Sequence, residues 1–183
     1  MTENYTISGY NITTDPYFQN HRFGYTTELT KQLETLFVES QDKKNKKIID
    51  KLSKLIIEYP SSPQLKNFLS VAHHIKGNYD KAIEVNNWIL SEHPDYLFAK
   101  LNEANKYIDA KSFDKVPDIL GESLDLKQLY PERNLFHLVE VTGYLKVVIR
   151  YLSAIGNIEL AENRLEILKS IDSLEFPHYS NQS

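Results

Sequence analysis

An internal repeat of 34 residues is the feature of this sequence that most constrains its fold. Two kinds of turn recur at this spacing, an X-Pro turn and a tight turn between two helices. The copies are Tyr59-Pro60 and His93-Pro94 for the first kind, then Gly77, Lys111 and, in a later unit, Gly156 for the second. A period of about 34 residues is typical of stacked helix-turn-helix units. The sequence therefore predicts an all-α chain of antiparallel helix pairs without a β-sheet.

The tight turns are surrounded by residues suited to a close helix pair. Gly77 and Gly156 are each followed by asparagine, and these two residue types accept the left-handed backbone that ends a helix. Ala82 and Ala161, five residues after each glycine, leave room for two helices to approach. With apolar residues at helical spacing, these features predict helices at about 27–39, 45–58, 63–76, 79–92, 96–110, 113–128, 134–155 and 158–173.

The repeat units carry side chains that resemble those of the tetratricopeptide repeat family. The best unit runs from Pro63 to Pro94 and has Leu69, Ser70, His73, Gly77, Tyr79, Ala82 and Ile89 at the key places of the pattern, and the next has Ala104, Tyr107, Phe113 and Val116. The resemblance implies a right-handed superhelical solenoid of about four helix pairs over residues 26–174. Where the family places a packing tyrosine, His73 is expected to be a core histidine with its polar atoms satisfied.

Two intervals depart from the period. Pro131 follows Pro94 by 37 residues, and 25 residues separate Pro131 from Gly156 where the earlier units have 17. We therefore expect helix 134–155 to be extended by eight residues, or about 12 Å. The added apolar residues are expected to form a platform for residues 118–130 or for a second subunit: Leu135, Phe136, Leu138, Val139 and Val141.

The two ends of the chain differ in composition from the repeats. Residues 1–25 hold six aromatic side chains and no helical period, which predicts an ordered or partly ordered N-terminal arm, since disordered tails are poor in aromatics. Residues 175–183, with Pro177, are expected to be a frayed C-terminal tail.

Composition argues against several classes of function. The net charge of −4 and the lack of a basic face argue against nucleic acid as a partner. The sequence has no apolar run near the roughly 18 residues that a membrane span needs, and no signal peptide is evident. With no cysteine, there is no disulfide framework or thiolate metal site, and we expect a cytoplasmic protein.

Catalytic and cofactor motifs are missing as well. The six histidines form no His-x-x-x-His pair, and there is no glycine-rich phosphate loop or G-x-S-x-G nucleophile motif. We therefore expect no enzyme activity, no metal and no cofactor. A binding function is expected instead.

The family resemblance implies a concave groove, lined by the first helix of each pair, that binds a protein or peptide. It places these residues in the groove: Asn67, His74, Phe98, Asn102, Asn105, Lys146 and Arg150, with Phe68, Val71, Leu101, Asp109 and Val147 beside them. Amide and cationic side chains can hold a peptide backbone or carboxylate. The leading hypothesis is thus a cytosolic peptide-binding scaffold. The family's carboxylate clamp, a Lys and Asn four residues apart, is not matched here.

One alternative belongs to a different class of function. The chain could be a structural or self-associating subunit whose groove is filled by its own N-terminal arm or by a second copy.

Overall fold

A computed structural model describes residues 5–7, 9–15, 23 and 25–172 of the chain. This part is mostly helical, as predicted. Its contacts divide the chain into two compact units, which we name by their place in the sequence. The central unit is Tyr17–Asn102, and the terminal unit combines Met1–Pro16 with Glu103–Ser183. None of the described helices is long and apolar enough to cross a membrane.

The elements follow the predicted order with three exceptions: the strands, a break in the helix predicted at 113–128, and a later start of the helix predicted at 134–155. In chain order they are β1 Tyr5–Ile7, β2 Tyr10–Thr13, α1 Thr27–Gln41, α2 Ile48–Glu58, α3 Pro63–Ile75, α4 Tyr79–Glu92, α5 Leu97–Asp109, α6 Val116–Leu120, α7 Leu126–Leu129, β3 Leu135–His137, α8 Leu138–Ala154 and α9 Ile158–Asp172. One turn of 3-10 helix, Phe113–Lys115, precedes α6. Helices α1 to α5 and α9 lie within a few residues of their predicted bounds.

The tight turn has the same backbone geometry in its three copies. Gly77, Lys111 and Gly156 all have positive φ, at 79°, 56° and 78°. The next residue in each copy donates its amide to the carbonyl five positions back at 2.9 Å: Asn78 to His73, Ser112 to Tyr107 and Asn157 to Leu152. This is the six-to-one hydrogen bond that closes a helix C-terminus. The period in the sequence is therefore matched by a period in the backbone.

The X-Pro turn recurs in the same way. The residue before each proline donates its amide to the carbonyl four positions back and accepts from the amide three positions ahead. The three copies are Tyr59, His93 and Tyr130, with donated bonds of 2.8, 2.7 and 3.1 Å. Because proline disfavours helix in the residue before it, each of these residues ends a helix and redirects the chain.

The core of the central unit surrounds α3, which packs against α1, α2 and α4. Its start is fixed by Ser62, whose hydroxyl accepts from the Leu65 amide at 3.2 Å, and by Pro63 in the first turn. The buried apolar cluster is Leu29, Leu33, Leu36, Ile48, Leu52, Ile56, Leu65, Phe68, Leu69 and Ala72. On α4, Ala82 is buried and its carbonyl accepts from the Ser70 hydroxyl at 2.9 Å, as expected for a close helix approach.

The prediction that the chain lacks a β-sheet is wrong. In the terminal unit β1 and β2 form an antiparallel hairpin, and β2 pairs in parallel with β3, with Ile12 opposite Phe136. Both of these side chains are fully buried, and the Tyr10 ring meets Phe136 edge-on at 5.0 Å. Part of the aromatic N-terminal segment therefore contributes two strands to the unit that contains the last helix pair.

The prediction of one extended helix over 134–155 is also wrong. Helix α8 begins at Leu138, because His137 and Glu140 form a capping box at its start. The His137 side chain accepts from the Val139 amide at 3.2 Å, and the Glu140 carboxylate accepts from the His137 amide at 2.9 Å. At 17 residues α8 exceeds the 13 of α3 by four, and strand β3 takes up most of the remaining surplus.

The helix predicted at 113–128 is broken in two. Gly121 and Leu124 both have positive φ, at 84° and 50°, and the break separates α6 from α7 and accommodates the three surplus residues. Within the unit, one of the five residues expected to form a platform contacts residues 118–130, while another, Val139, is exposed. Phe136 packs on Tyr130 at 6.1 Å, and the Tyr144 hydroxyl donates to the Leu120 carbonyl at 2.8 Å. The expected frayed tail, 175–183, lies outside the described residues.

Candidate binding surface

Two of the predicted groove residues meet in the terminal unit. The guanidinium of Arg150 on α8 donates from Nη1 to the Asn105 side-chain oxygen on α5 at 2.7 Å. Its Nη2 pairs with the Asp109 carboxylate, one turn further along α5. Lys146, one turn before Arg150 on α8, is exposed. The structure thus brings two of the expected groove residues, Asn105 and Arg150, into contact, together with Asp109, which was expected beside them.

The ion pair between Arg150 and Asp109 lies in solvent. Their side chains are 46% and 64% exposed. Ion pairs of this kind contribute about 0–1 kcal/mol, because water screens the charges and two long side chains must be ordered. An external carboxylate can therefore replace Asp109 at little cost, and Lys146 lies near enough in sequence to offer a second cation on the same helix face.

In the central unit the predicted asparagines bond to one another. The Asn102 amide nitrogen donates to the side-chain oxygens of Asn67 and Asn86, each at 3.1 Å. The Asn86 nitrogen in turn donates to the Ala99 carbonyl at 3.1 Å. Both N–H groups of Asn102 are thereby used within the fold, so this side chain can offer a ligand only its oxygen.

The exposure expected for several groove positions is wrong. Four of them are buried: Asn67, Phe68, Leu101 and Val147. For α3 the reason is that neighbouring helices α1, α2 and α4 cover it on several sides. His74 is exposed as predicted, with its ring 5.1 Å from that of Tyr79, and Phe98 is half-buried with its ring 5.7 Å from Tyr96.

An exposed aromatic residue on α1 was missed. Phe37 is half exposed, and its ring lies 5.7 Å from Phe68 on α3. It precedes Val71, a predicted groove position, by 34 residues. Extending the repeat by one period toward the N-terminus, into α1, would have identified it.

Helix α3 also carries a fully buried lysine, Lys66. The ammonium group of Lys66 bonds to the Glu92 carboxylate and sits 4.1 Å from the centre of the Trp88 ring. The Trp88 indole N–H donates to the other oxygen of Glu92 at 2.7 Å. The hydrogen bond from Lys66, then that from Trp88, lowers the pKa of Glu92 below its ordinary value.

No metal-binding group of three or more histidine or acidic residues occurs in the described part of the chain. Comparison of the chain with protein-family models, with curated proteins and with solved structures returned no match. The function must therefore be inferred from the geometry of the surfaces described above.

Proposed function

We propose that this chain is a scaffold that binds a polypeptide, and that its helix pairs are tetratricopeptide-like repeats. The recurrence of both turns supports the repeat assignment. So do the neighbours of α3, which are the helix that follows it and both helices of the preceding pair. A stack of such pairs has a surface of exposed side chains that can follow an extended peptide.

The observation that carries the proposal is the position of Arg150. Its guanidinium holds an amide oxygen and a carboxylate at once, and both come from exposed or half-exposed side chains of α5. A peptide offers the same two groups, a backbone or side-chain carbonyl and an acidic side chain. We infer that an acidic segment of the partner displaces Asp109 and pairs with Arg150 and Lys146.

Selection of peptides from a displayed library on the purified chain, followed by calorimetric titration of the best binder, tests this function. Changing both Asn105→Ala and Arg150→Ala should weaken binding at least about tenfold, since a charge-assisted hydrogen bond contributes ~1.5–3 kcal/mol. Binding should also weaken with added salt.

The matched control removes another exposed ion pair of the same unit. Glu166 and Lys169 on α9 pair at 2.8 Å, and replacing both with alanine should leave the affinity unchanged. Undiminished binding by the Asn105 and Arg150 double variant would show that the peptide uses another surface.

Self-association is the second candidate, favoured by exposed apolar side chains around the turn between α8 and α9. These are Ile155, Ile158 and Leu160. Light scattering on the intact chain distinguishes the two: a monomer at tens of micromolar would exclude a stable homodimer. Loss of a dimer in Ile158→Glu would instead favour a self-associating subunit.

A further inference from the structure

The turn between α1 and α2 concentrates positive charge in a chain that is acidic overall. Residues 42–54 hold six lysines and two aspartates, a net charge of +4, while the other residues hold 15 basic and 23 acidic side chains, a net charge of −8. Four of these lysines occupy the turn itself and are exposed; we call them the lysine loop: Lys43, Lys44, Lys46 and Lys47. Their mutual repulsion is unfavourable for the folded chain on its own, and an anionic surface offsets it.

The four ammonium groups of the lysine loop form no ion pair with any residue that the structure describes. Two acidic residues close to them in sequence have other partners. Glu39, near the end of α1, pairs with Lys51 at 2.8 Å. Asp42 accepts the backbone amide of Lys44 on a carboxylate oxygen at 2.8 Å. The four cations are therefore available to an external anion.

The backbone of the lysine loop is held in place from α3. The ammonium group of Lys76, the residue after α3, donates to the carbonyls of Asp42, Lys43 and Asn45 at 3.4, 3.3 and 2.7 Å. The side-chain oxygen of Asn45 accepts from the Lys47 amide at 3.1 Å. Because these bonds order the turn in the free chain, binding does not have to pay for ordering its backbone.

Two exposed apolar side chains lie on α1 shortly before the lysine loop. Phe37 is 45% exposed and Val38 is 62% exposed. Val38 lies about one helical turn, or ~6 Å along the axis, before Asp42 at the start of the loop. Apolar side chains beside free cations are typical of surfaces that bind a membrane, where the apolar groups enter the headgroup boundary and the cations pair with anionic lipids.

We propose that the lysine loop, with Phe37 and Val38 beside it, docks on the surface of a bilayer that contains anionic phospholipid. No arginine occurs between residues 23 and 132, so the loop lacks the fork that selects a single carboxylate or phosphate. Lysines on a fixed turn act as point charges, which suits a surface that presents many anionic headgroups at once. A nucleic-acid backbone would leave the two apolar side chains without a contact. This inference does not rest on the proposed function, which concerns Arg150.

Co-sedimentation of the intact chain with lipid vesicles tests the proposal. One set of vesicles is phosphatidylcholine alone, and the other contains phosphatidylserine as well. We expect binding to the mixed vesicles to be at least about tenfold tighter, since each lysine near an anionic surface contributes roughly fivefold. Added salt should weaken this binding, because the Debye length falls from about 30 Å at 0.01 M to about 10 Å at 0.1 M.

Replacing all four residues of the lysine loop with glutamine should weaken binding to the mixed vesicles at least about fiftyfold. The matched control makes the same change in net charge at four exposed lysines elsewhere and should keep the affinity within about threefold: Lys31, Lys111, Lys115 and Lys169. Circular dichroism establishes that each variant folds.

The apolar contribution has its own pair of variants. Val38→Ser should weaken binding to the mixed vesicles at least about threefold and leave the salt dependence in place, because it removes buried apolar area and no charge. Ile57→Ser, at an exposed position near the opposite end of α2, should leave the affinity unchanged.

Several outcomes overturn the proposal. Equal binding to both kinds of vesicle, no binding to either, or full affinity after the four lysine substitutions would each exclude it. Binding of polyglutamate through the lysine loop, without binding of vesicles, would assign the loop to an acidic polypeptide instead. Peptide binding that depends on Arg150 while vesicle binding fails would leave the proposed function standing without this inference. The reverse result would leave the membrane surface and remove the function.

Discussion

At the scale of single residues, Lys66 is the least ordinary choice in the chain. Its side chain is 0% exposed, while that of its partner Glu92 is 44% exposed. Removing the partner leaves a buried ammonium group beside the Trp88 ring without a carboxylate to pair with it. We expect Glu92→Gln to lower the free energy of unfolding by about 1–3 kcal/mol in urea titrations.

A second variant separates the charge from the packing. Lys66→Met with Glu92→Gln should recover much of that loss, because methionine fills similar volume without a charge to satisfy. If Glu92→Gln alone matches the unchanged chain, the pair contributes no stability despite its burial.

Two histidines should make the free energy of unfolding depend on pH. Their burial determines whether it rises or falls with pH. Burial, as the first cause, lowers the pKa of both His73 and His137 in the folded chain. The unfolded chain takes up these protons near pH 6.5, while the folded chain binds them only at lower pH. The free energy of unfolding should therefore decrease as the pH falls from about 7.5 to 5.5. His73→Leu should flatten this decrease, which chemical denaturation at several pH values measures.

At the scale of elements, the three tight turns differ in how well their residues fit the backbone. Lys111 adopts φ 56° where Gly77 and Gly156 adopt 79° and 78°. A side chain in this region costs about 1 kcal/mol, and a Cβ added at either glycine would meet no atom within 4 Å. The expected difference in stability between the turns therefore comes from backbone conformation and not from a steric clash.

Opposite substitutions should consequently have opposite effects. We expect Lys111→Gly to raise the free energy of unfolding by about 0.5–1 kcal/mol, and Gly77→Ala to lower it by a similar amount. Thermal melts of both variants check the prediction. A loss of stability in Lys111→Gly would mean that the lysine side chain contributes more than its backbone strain costs.

The contact between α3 and α4 is the element-level test of the repeat. Ala82 is buried where the Ser70 hydroxyl bonds to its carbonyl, so Ala82→Arg forces a long charged side chain between two helices. We expect a loss of several kcal/mol, measured by urea unfolding. Ala154→Arg, at an exposed position near the end of α8, is the control. Equal melting of the unchanged chain and Ala82→Arg would contradict the alignment of the repeat.

How far the sequence predicted these elements depends on how local their causes are. Helices α1 to α5 and their turns follow from spacing and from turn residues within a few positions, and their predicted bounds were close. Strands β2 and β3 escaped prediction because each is only three or four residues long and is stabilised by a partner more than 100 residues away. The three additional residues before Pro131 indicated that this repeat unit is irregular, but they did not show that the helix breaks at Gly121.

The residues of the candidate site also differ in how far local sequence determines their positions. Asn105 and Arg150 were both placed in the groove from the family resemblance, and the structure shows them in contact. The burial of Asn67 and its bond to Asn102 depend on how several helices cover α3, which side-chain spacing alone does not specify.

At the scale of the whole molecule, the terminal unit is made from both ends of the described chain. Ile12 on β2 is fully buried in it, so Ile12→Asp would place a carboxylate in an apolar core. We expect hydrogen exchange to show faster exchange of α8 amides in this variant, while α3 amides in the central unit keep their protection. Ile57→Asp, at an exposed position of α2, is the control and should affect neither helix. Equal loss of protection in both units would show that they unfold together.

The parallel pairing of β2 with β3 also has a consequence for synthesis on the ribosome. Asn11 is translated 124 residues before its partner Leu135. At about 5–20 residues per second, this separation corresponds to roughly 6–25 s. Every residue of the central unit emerges during that interval, before the third strand exists. The length of the intervening chain therefore sets the shortest time in which β2 can pair with β3 during synthesis. This limit holds however fast the two strands pair once both are present.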